Sequence, residues 1–181
     1  RNVRLPVWSV VHPQILGEPS LIETPAPAVL RLKRNHSGSR RLNAMECNNR
    51  AWALTTSTRT AEEDQEMLAT AHASAWHWSF AGNVLNNMRA KMLLAEGYAC
   101  LDNGSEAMTR AKEMHAYFLS HETPDRELAF AHAILAHAAY AAGEMETYRM
   151  SYRSAQVAIE AIAEAEDRDI VRQTFTQITR P

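Results

Sequence analysis

The eight residues Ala71–Trp78, AHASAWHW, bring two histidines and two tryptophans together among small side chains. A second pair, His132 and His137, follows in the similar stretch LAFAHAILAH. An imidazole can bind a metal ion or transfer a proton, and an indole can line a ligand pocket. These two stretches are therefore the first candidates for chemistry.

Helical spacing argues against a metal site within either stretch. Both histidine pairs are five residues apart, whereas two metal ligands on one helix need a spacing of three or four. The chain also lacks the HExxH and Glu-x-x-His motifs of helical metal sites. We therefore predict no metal ligand and no cofactor. A site between helices, pairing His72 with His132 and a carboxylate, is the alternative to histidines that only pack and hydrogen-bond.

A polar pocket is the best candidate for ligand binding. Asn86, Asn87 and Arg89 open the predicted third helix, directly after WHWSFAGN. A helix N-terminus attracts anions, so a carboxylate or a peptide C-terminus would dock there beside the aromatic stretch. Ordinary capping by Asn83 is the competing interpretation. The candidate binding residues are His72, Trp76, Asn86, Arg89 and His132. His132 is included because of the alternative site between helices.

The elements that position these residues are predicted to be helices. From Met45 onward the chain is rich in alanine, has no proline until Pro124 and shows helical periodicity. Three local signals mark the predicted helix boundaries: a capping box formed by Thr60 and Glu63, a cap at Asp125 and a left-handed end at Gly143. The fifth helix is apolar nearly all round, which predicts a central position. The predicted helices span 45–57, 61–80, 84–101, 105–121, 126–142, 144–165 and 167–178.

Residues 1–44 differ in character from the rest of the chain. They contain five of the seven prolines and no sustained period, so we expect an irregular or disordered basic segment followed by a helical domain over 45–181. The chain begins with Arg1, and Met45 stands just before the first predicted helix. We therefore hypothesise that translation of the native protein starts at Met45 and that residues 1–44 are translated upstream sequence.

The third and fourth predicted helices resemble one tetratricopeptide repeat, and the fifth and sixth resemble a second. Large and small packing positions match at Leu94-Ala95-Tyr98 and Ala107-Ala111, then at Leu135-Ala136, Gly143 and Ala155. Asp102 departs from the glycine that the family favours at the turn, and Tyr148 replaces a small residue. The stretch EEDQEML…AHASAWHW is also similar to a group of small, uncharacterised bacterial proteins of this class. The resemblance implies an all-α stack of antiparallel hairpins in a right-handed superhelix and supplies no activity.

Charge and cysteine content limit the classes of partner. Residues 1–44 hold seven basic and two acidic residues, a balance of +5, and residues 45–181 hold 12 basic and 19 acidic residues, a balance of −7. An acidic body argues against nucleic-acid binding, which needs clustered Lys and Arg. No apolar run is long enough to span a membrane. Cys47 and Cys100 lie far apart, as expected of free thiols in the cytoplasm.

Three functional hypotheses follow from these observations. The leading one is a non-enzymatic module that binds a peptide or partner protein. The second is a small ligand-binding protein or enzyme with a His/Trp pocket between helices. The third is a self-associating scaffold, because an array of three hairpins leaves an uncapped end. The chain has no Gly-rich phosphate loop, no GxSxG and no nucleophilic-cysteine signature, so no reaction is indicated and catalysis is left open.

Overall fold

The computed structural model describes the backbone of residues 28–181 and the side chains of residues 38–181. Over this range the chain forms seven α-helices and no β-strand. Each helix packs against the next, so the predicted all-α stack of helical hairpins is confirmed. The helices are α1 (Ala28–Thr55), α2 (Ala61–Ala81), α3 (Val84–Cys100), α4 (Gly104–Ser120), α5 (Asp125–Ala141), α6 (Met145–Ala161) and α7 (Ala165–Phe175).

The first helix begins much earlier than predicted. It starts at Ala28, directly after Pro27, and continues through Met45 without a break. Pro27 is the last of the N-terminal prolines, and from Ala28 to Thr123 every residue can donate its backbone N–H to a helix. The predicted irregular segment is therefore wrong for residues 28–44, and residues 1–27 lie outside the described part of the chain. Ser74 Oγ of α2 fixes α1 by donating a hydrogen bond to the Ala44 carbonyl at 2.9 Å.

Local capping signals were accurate at two helix starts and wrong at one. Thr60 and Glu63 form the predicted capping box of α2. Asn83 caps α3 in the same reciprocal way with Asn86. At α5, however, Pro124 occupies the cap position without a side-chain hydrogen bond, and Asp125 is already helical. Asp125 therefore stabilises α5 as a charge in the first turn, near the positive end of the helix dipole.

Two turns with the same geometry join α3 to α4 and α5 to α6. Asp102 has a φ of 54° and Gly143 has a φ of 72°, and both are in the left-handed region. Gly143 is the left-handed end that the sequence predicts, and Asp102 adopts the same conformation although it carries a side chain. Gly104, at the start of α4, permits a close approach between hairpins, because a Cβ there would lie 2.3 Å from the Cα atom of Ala142.

The core is organised around α5, as predicted. The odd-numbered helices contact one another in series, α1 with α3, α3 with α5 and α5 with α7, and α5 also packs on α4 and α6. Trp78 lies in the core. Met108 and Met114 also fill the core, whereas Met145 and Met150 are exposed. Within the described residues, no helix combines the length and the apolar character that crossing a membrane would require.

Candidate functional site

Each of the five predicted binding residues has its partner outside that set. His72 Nε2 is hydrogen-bonded to the Tyr98 hydroxyl of α3 at 2.8 Å, and the two rings meet edge to face. His132 Nδ1 is hydrogen-bonded to His115 Nε2 of α4 at 3.0 Å. His72 and His132 therefore do not pair with each other, and each contacts a different helix. His72 follows the simpler interpretation, a hydrogen bond to a neighbouring helix.

Trp76 lies on the surface of α2. Its side chain is 53% exposed and packs edge to face against Phe80, with ring centroids 5.2 Å apart. The Arg40 guanidinium of α1 lies over both rings, 4.8 Å and 4.5 Å from their centroids. His77 is partly buried against the Trp76 ring. Trp76 therefore belongs to an exposed aromatic cluster that connects α1 and α2.

Asn86 and Arg89 point to different partners. The Asn86 side chain accepts the Asn83 backbone N–H within the cap of α3, as the capping interpretation expected. Arg89 forms an ion pair with Glu127 at the start of α5. Glu127 is 1% exposed and the Arg89 side chain is 30% exposed, so this pair is a partly buried connection between α3 and α5. The side chains of Asn86 and Arg89 are therefore used within the fold, one at a helix end and one between helices.

The His115–His132 pair consists of two half-buried imidazoles. Burial first, and then the neighbouring His132, lower the pKa of His115 to about 4. Burial also lowers the pKa of His132. Both rings are therefore neutral at physiological pH, and one can donate the hydrogen bond that the other accepts.

A second polar cluster, which the sequence analysis did not identify, joins α3 to α5 near their C-terminal ends. Glu96 is completely buried, and its Oε1 lies 3.1 Å from His137 Nδ1. The Cys100 thiol donates to the same oxygen at a distance of 3.7 Å. One ligand atom from each of the three side chains lies within 4.8 Å of the other two. We refer to Glu96, Cys100 and His137 as the Glu–Cys–His cluster.

The electrostatics of the Glu–Cys–His cluster follow from the buried carboxylate. Burial by itself would lower the pKa of His137, but the charge and hydrogen bond of Glu96 outweigh it, so this pKa is raised. Burial first, and then the charge of Glu96, raise the pKa of the Cys100 thiol above its ordinary value. The cluster therefore pairs a protonated thiol and an imidazole that readily becomes cationic with one buried carboxylate.

One signal for this cluster was present in the sequence. Glu96 and Cys100 are four residues apart, the spacing that puts two side chains on the same face of a helix. A carboxylate and a thiol at this spacing match neither a histidine pair nor a Glu-x-x-His motif, so those patterns do not reveal it. His137 could not have been assigned to the cluster from spacing, because it comes from another helix.

An open groove lies on α3 between α2 and α4, and we call it the α2–α4 groove. Its volume is about 550 Å³. Small and apolar side chains form its floor, and its rim contains the ion pairs Lys91–Glu113 and Arg110–Glu106. Arg110 also lies over the Tyr98 ring, 4.7 Å from its centroid. The lining residues are Ala75, Ser79, Asn87, Ala90, Lys91, Leu94, Glu106, Thr109, Arg110 and Glu113.

No protein-family model, curated protein or solved structure matches this chain. The resemblance to tetratricopeptide repeats therefore depends on the packing positions in the sequence and is not supported by any relative. Function has to be inferred from the described side chains and from the surfaces that they form.

Proposed function

We propose that this chain is a non-enzymatic module of the tetratricopeptide-like class that binds a peptide segment of a partner protein in the α2–α4 groove. One observation carries the proposal: α2 and α4, which belong to adjacent hairpins, leave an open groove on α3, the helix between them. Stacked helical hairpins commonly use such extended surfaces to bind other proteins.

The dimensions and lining of the groove support this proposal. Its volume of about 550 Å³ falls within the range of about 300–1,000 Å³ that is typical of ligand sites. Ala75, Ala90 and Leu94 provide an apolar floor on which side chains of a peptide would lose contact with water. An apolar centre surrounded by polar groups is also the usual arrangement of a protein interface.

The rim of the groove supports a peptide rather than a nucleic acid as the ligand. Its cations, Lys91 and Arg110, are each paired with a carboxylate of α4. A phosphate backbone would meet as many negative as positive charges there and would gain little. A peptide carries both donors and acceptors, so it can exchange hydrogen bonds with groups of either sign.

The equivalent turns at Asp102 and Gly143 support assignment to the tetratricopeptide-like class. They lie in successive hairpins, and each places one left-handed residue between the two helices. The two free thiols, Cys47 and Cys100, are consistent with a reducing compartment, and we propose the cytoplasm of a bacterium as the location.

The alternative of a His/Trp ligand pocket has weaker support. It requires His72, Trp76 and Arg89 to converge, but these residues contact Tyr98, Phe80 and Glu127, respectively. Self-association has one observation in its favour, since Met150 and Val157 of α6 are 64% and 72% exposed. Light scattering over a range of concentrations would detect it as a rise in molar mass.

A peptide-display selection against the full chain tests the proposal. We expect enrichment of short segments with apolar residues, and fluorescence anisotropy of the labelled peptides then gives the Kd. Thr109→Trp places a large side chain in the groove from an exposed position of α4. Gln156→Trp makes the same addition at an exposed position of α6 and serves as the matched control.

We expect Thr109→Trp to weaken peptide binding by about tenfold or more, which corresponds to about 1.4 kcal/mol. Gln156→Trp should leave the Kd unchanged, and circular dichroism should show the same helix content in both variants. A selection without enrichment would refute peptide binding. Peptides that bind Thr109→Trp as tightly as the wild type would place the interface on another surface.

A further inference from the structure

We propose that Glu96, Cys100 and His137 form a binding site for one divalent transition-metal ion with the ligand preferences of Zn²⁺. Thiolate, imidazole and carboxylate are the three protein ligand types that this ion uses. The site would be separate from the α2–α4 groove, because none of its three residues lines that groove.

The backbone already places the three side chains for coordination. Glu96 and Cys100 are one helical turn apart on α3, so they present their ligand atoms from the same face. His137 approaches from α5, which packs directly against α3. Two rigid helices therefore hold the ligands, and a metal ion would need only side-chain rotation to bind.

The distances between ligand atoms are close to those around a tetrahedral ion. Bonds of about 2.0–2.3 Å to zinc put neighbouring ligand atoms about 3.3–3.8 Å apart. In the cluster, Glu96 Oε1 is 3.1 Å from His137 Nδ1 and 3.7 Å from Cys100 Sγ, and no pair of ligand atoms exceeds 4.8 Å. The two pairs that include Glu96 Oε1 need shifts of only a few tenths of an ångström, and the pair of His137 Nδ1 and Cys100 Sγ, at up to 4.8 Å, would close by side-chain rotation.

The second oxygen of Glu96 is an independent indication of a ligand. Glu96 is 0% exposed, and its Oε2 has no hydrogen-bond partner among the described side chains and backbone. A buried carboxylate oxygen without a partner is costly, so such groups usually have a water, an ion or a functional role. A metal ion bound by Glu96 would compensate for this charge directly.

The charges around the cluster permit a divalent cation to bind. Once the Cys100 proton has left, the thiolate and the Glu96 carboxylate carry two negative charges, which balance the ion while His137 stays neutral. Arg59 is the nearby cation, and it is already engaged by Asp64 at 2.7 Å and by the carbonyls of Leu54 and Thr55. The Arg59–Asp64 pair is neutral overall, and the Arg59 charge also favours the thiolate form of Cys100.

Three protein ligands would leave one position of a tetrahedral ion for water or another small ligand. This number of protein ligands is typical of zinc sites that bind an exchangeable fourth ligand, whereas purely structural sites usually have four protein ligands. The Thr55 carbonyl, 3.9 Å from Cys100 Sγ, borders the same space from the end of α1. The proposed site would thus connect α1, α3 and α5.

Titration with Co²⁺ tests the proposal on the reduced full chain. Co²⁺ adopts tetrahedral sites like those of Zn²⁺, and a bound thiolate produces a charge-transfer band in the near ultraviolet. We expect one equivalent of Co²⁺ to generate this band together with visible d–d bands, and Zn²⁺ to displace it. Competition with a chromophoric chelator then gives the Kd for Zn²⁺.

Matched variants assign the ligands. Cys100→Ser should abolish the charge-transfer band. Loss of a hydrogen-bond partner of a metal ligand typically weakens binding by about 10–100-fold. His137 is itself a ligand in this proposal, so His137→Gln should weaken binding by no less than that. Cys47→Ser and His132→Gln change the other cysteine and the other histidine of α5, so both should bind like the wild type. Circular dichroism establishes that each variant is folded.

Alkylation provides a second measurement that needs no variant. Zn²⁺ should slow the reaction of Cys100 with iodoacetamide and leave the rate at Cys47 unchanged, as measured by peptide mass spectrometry. A folded wild type that takes up no Co²⁺ would overturn the proposal. A band that survives in Cys100→Ser, or protection of Cys47 to the same extent as Cys100, would overturn it as well.

Discussion

The two histidines of α5 differ sharply although they are only five residues apart. His132 faces α4, where its hydrogen-bond partner is another neutral imidazole, and burial lowers its pKa. His137 faces α3, where the Glu96 carboxylate outweighs the effect of burial and raises its pKa. Both positions are on the same helix and both are partly buried, so the difference comes from the neighbouring helix.

This comparison shows why a histidine in an α-helix carries little functional information by itself. The five-residue spacing places the two rings on different sides of α5, and in the structure they have different partners. It gave no indication that one ring would join a carboxylate and a thiol while the other would join a second imidazole. The chemistry of each histidine depends on which helix packs against its face of α5.

Removing the carboxylate should have the largest effect. In metal-free protein with EDTA, we expect Glu96→Ala to lower the free energy of unfolding by about 3 kcal/mol, because loss of one partner leaves the other half of a buried pair unsatisfied. His115→Ala, which breaks the neutral pair, should cost only about 1 kcal/mol. Urea unfolding measures both values, and equal losses would contradict the comparison.

Glu96→Gln is the control that keeps the size of the side chain. NMR titration in EDTA should show His137 protonating above pH 6.5 in the wild type and below pH 6.5 in Glu96→Gln, where burial, the largest effect on this pKa, outweighs the attraction of Asp102. If the titration of His137 did not change, Glu96 would not be the cause of its raised pKa.

The neutral pair should make the protein less stable in mild acid. Below about pH 6.5 the unfolded chain takes up a proton at His115, and the folded chain does not do so until about pH 4. The free energy of unfolding should therefore decrease as the pH falls through this window. After a discount for solvent screening of a partly exposed ring, we expect a loss of about 1–2 kcal/mol.

The matched measurement compares the wild type with His115→Gln, which cannot take up the proton. Urea unfolding at several pH values between 4 and 7 should give a smaller decrease for the variant. Parallel curves for the two proteins would mean that other groups cause the acid sensitivity.

The smallest effect should come from replacing the whole neutral pair. In the double variant His115→Leu and His132→Leu at pH 7, both hydrogen-bonding groups disappear together, so no unsatisfied polar atom is left behind. We expect the free energy of unfolding to change by less than about 1 kcal/mol, in either direction. A loss as large as that of Glu96→Ala would show that the pair of His115 and His132 is as important to the fold as Glu96.

The helical elements were predictable because their signals are local. The capping residues Thr60 and Glu63, the left-handed Gly143 and the apolar pattern of α5 all act within a few residues of the chain. The early start of α1 was missed because proline content was applied to residues 1–44 as a whole. Proline affects the helix only at its own position and nearby, so the residues after Pro27 were free to form one.

The candidate sites were much less predictable. Asn83 and Asn86 cap α3 as local chemistry suggests, but the partners of His72, His132 and Arg89 lie 26, 17 and 38 residues away along the chain. Nothing in the local pattern identifies Tyr98, His115 or Glu127 as those partners. Helical spacing gives the face of a helix on which a residue lies and gives no information about which helix covers that face.

The sequence by itself determined that this chain forms antiparallel helices, where most of them begin and end, and that α5 lies in the centre. These properties depend on backbone hydrogen bonds and on the period of the apolar residues, which are local. Only the tertiary structure decided that Glu96 meets His137 and Cys100, and that α2 and α4 leave a groove on α3. Those contacts depend on how the helices pack together, and packing is set by side-chain volumes distributed over the whole core.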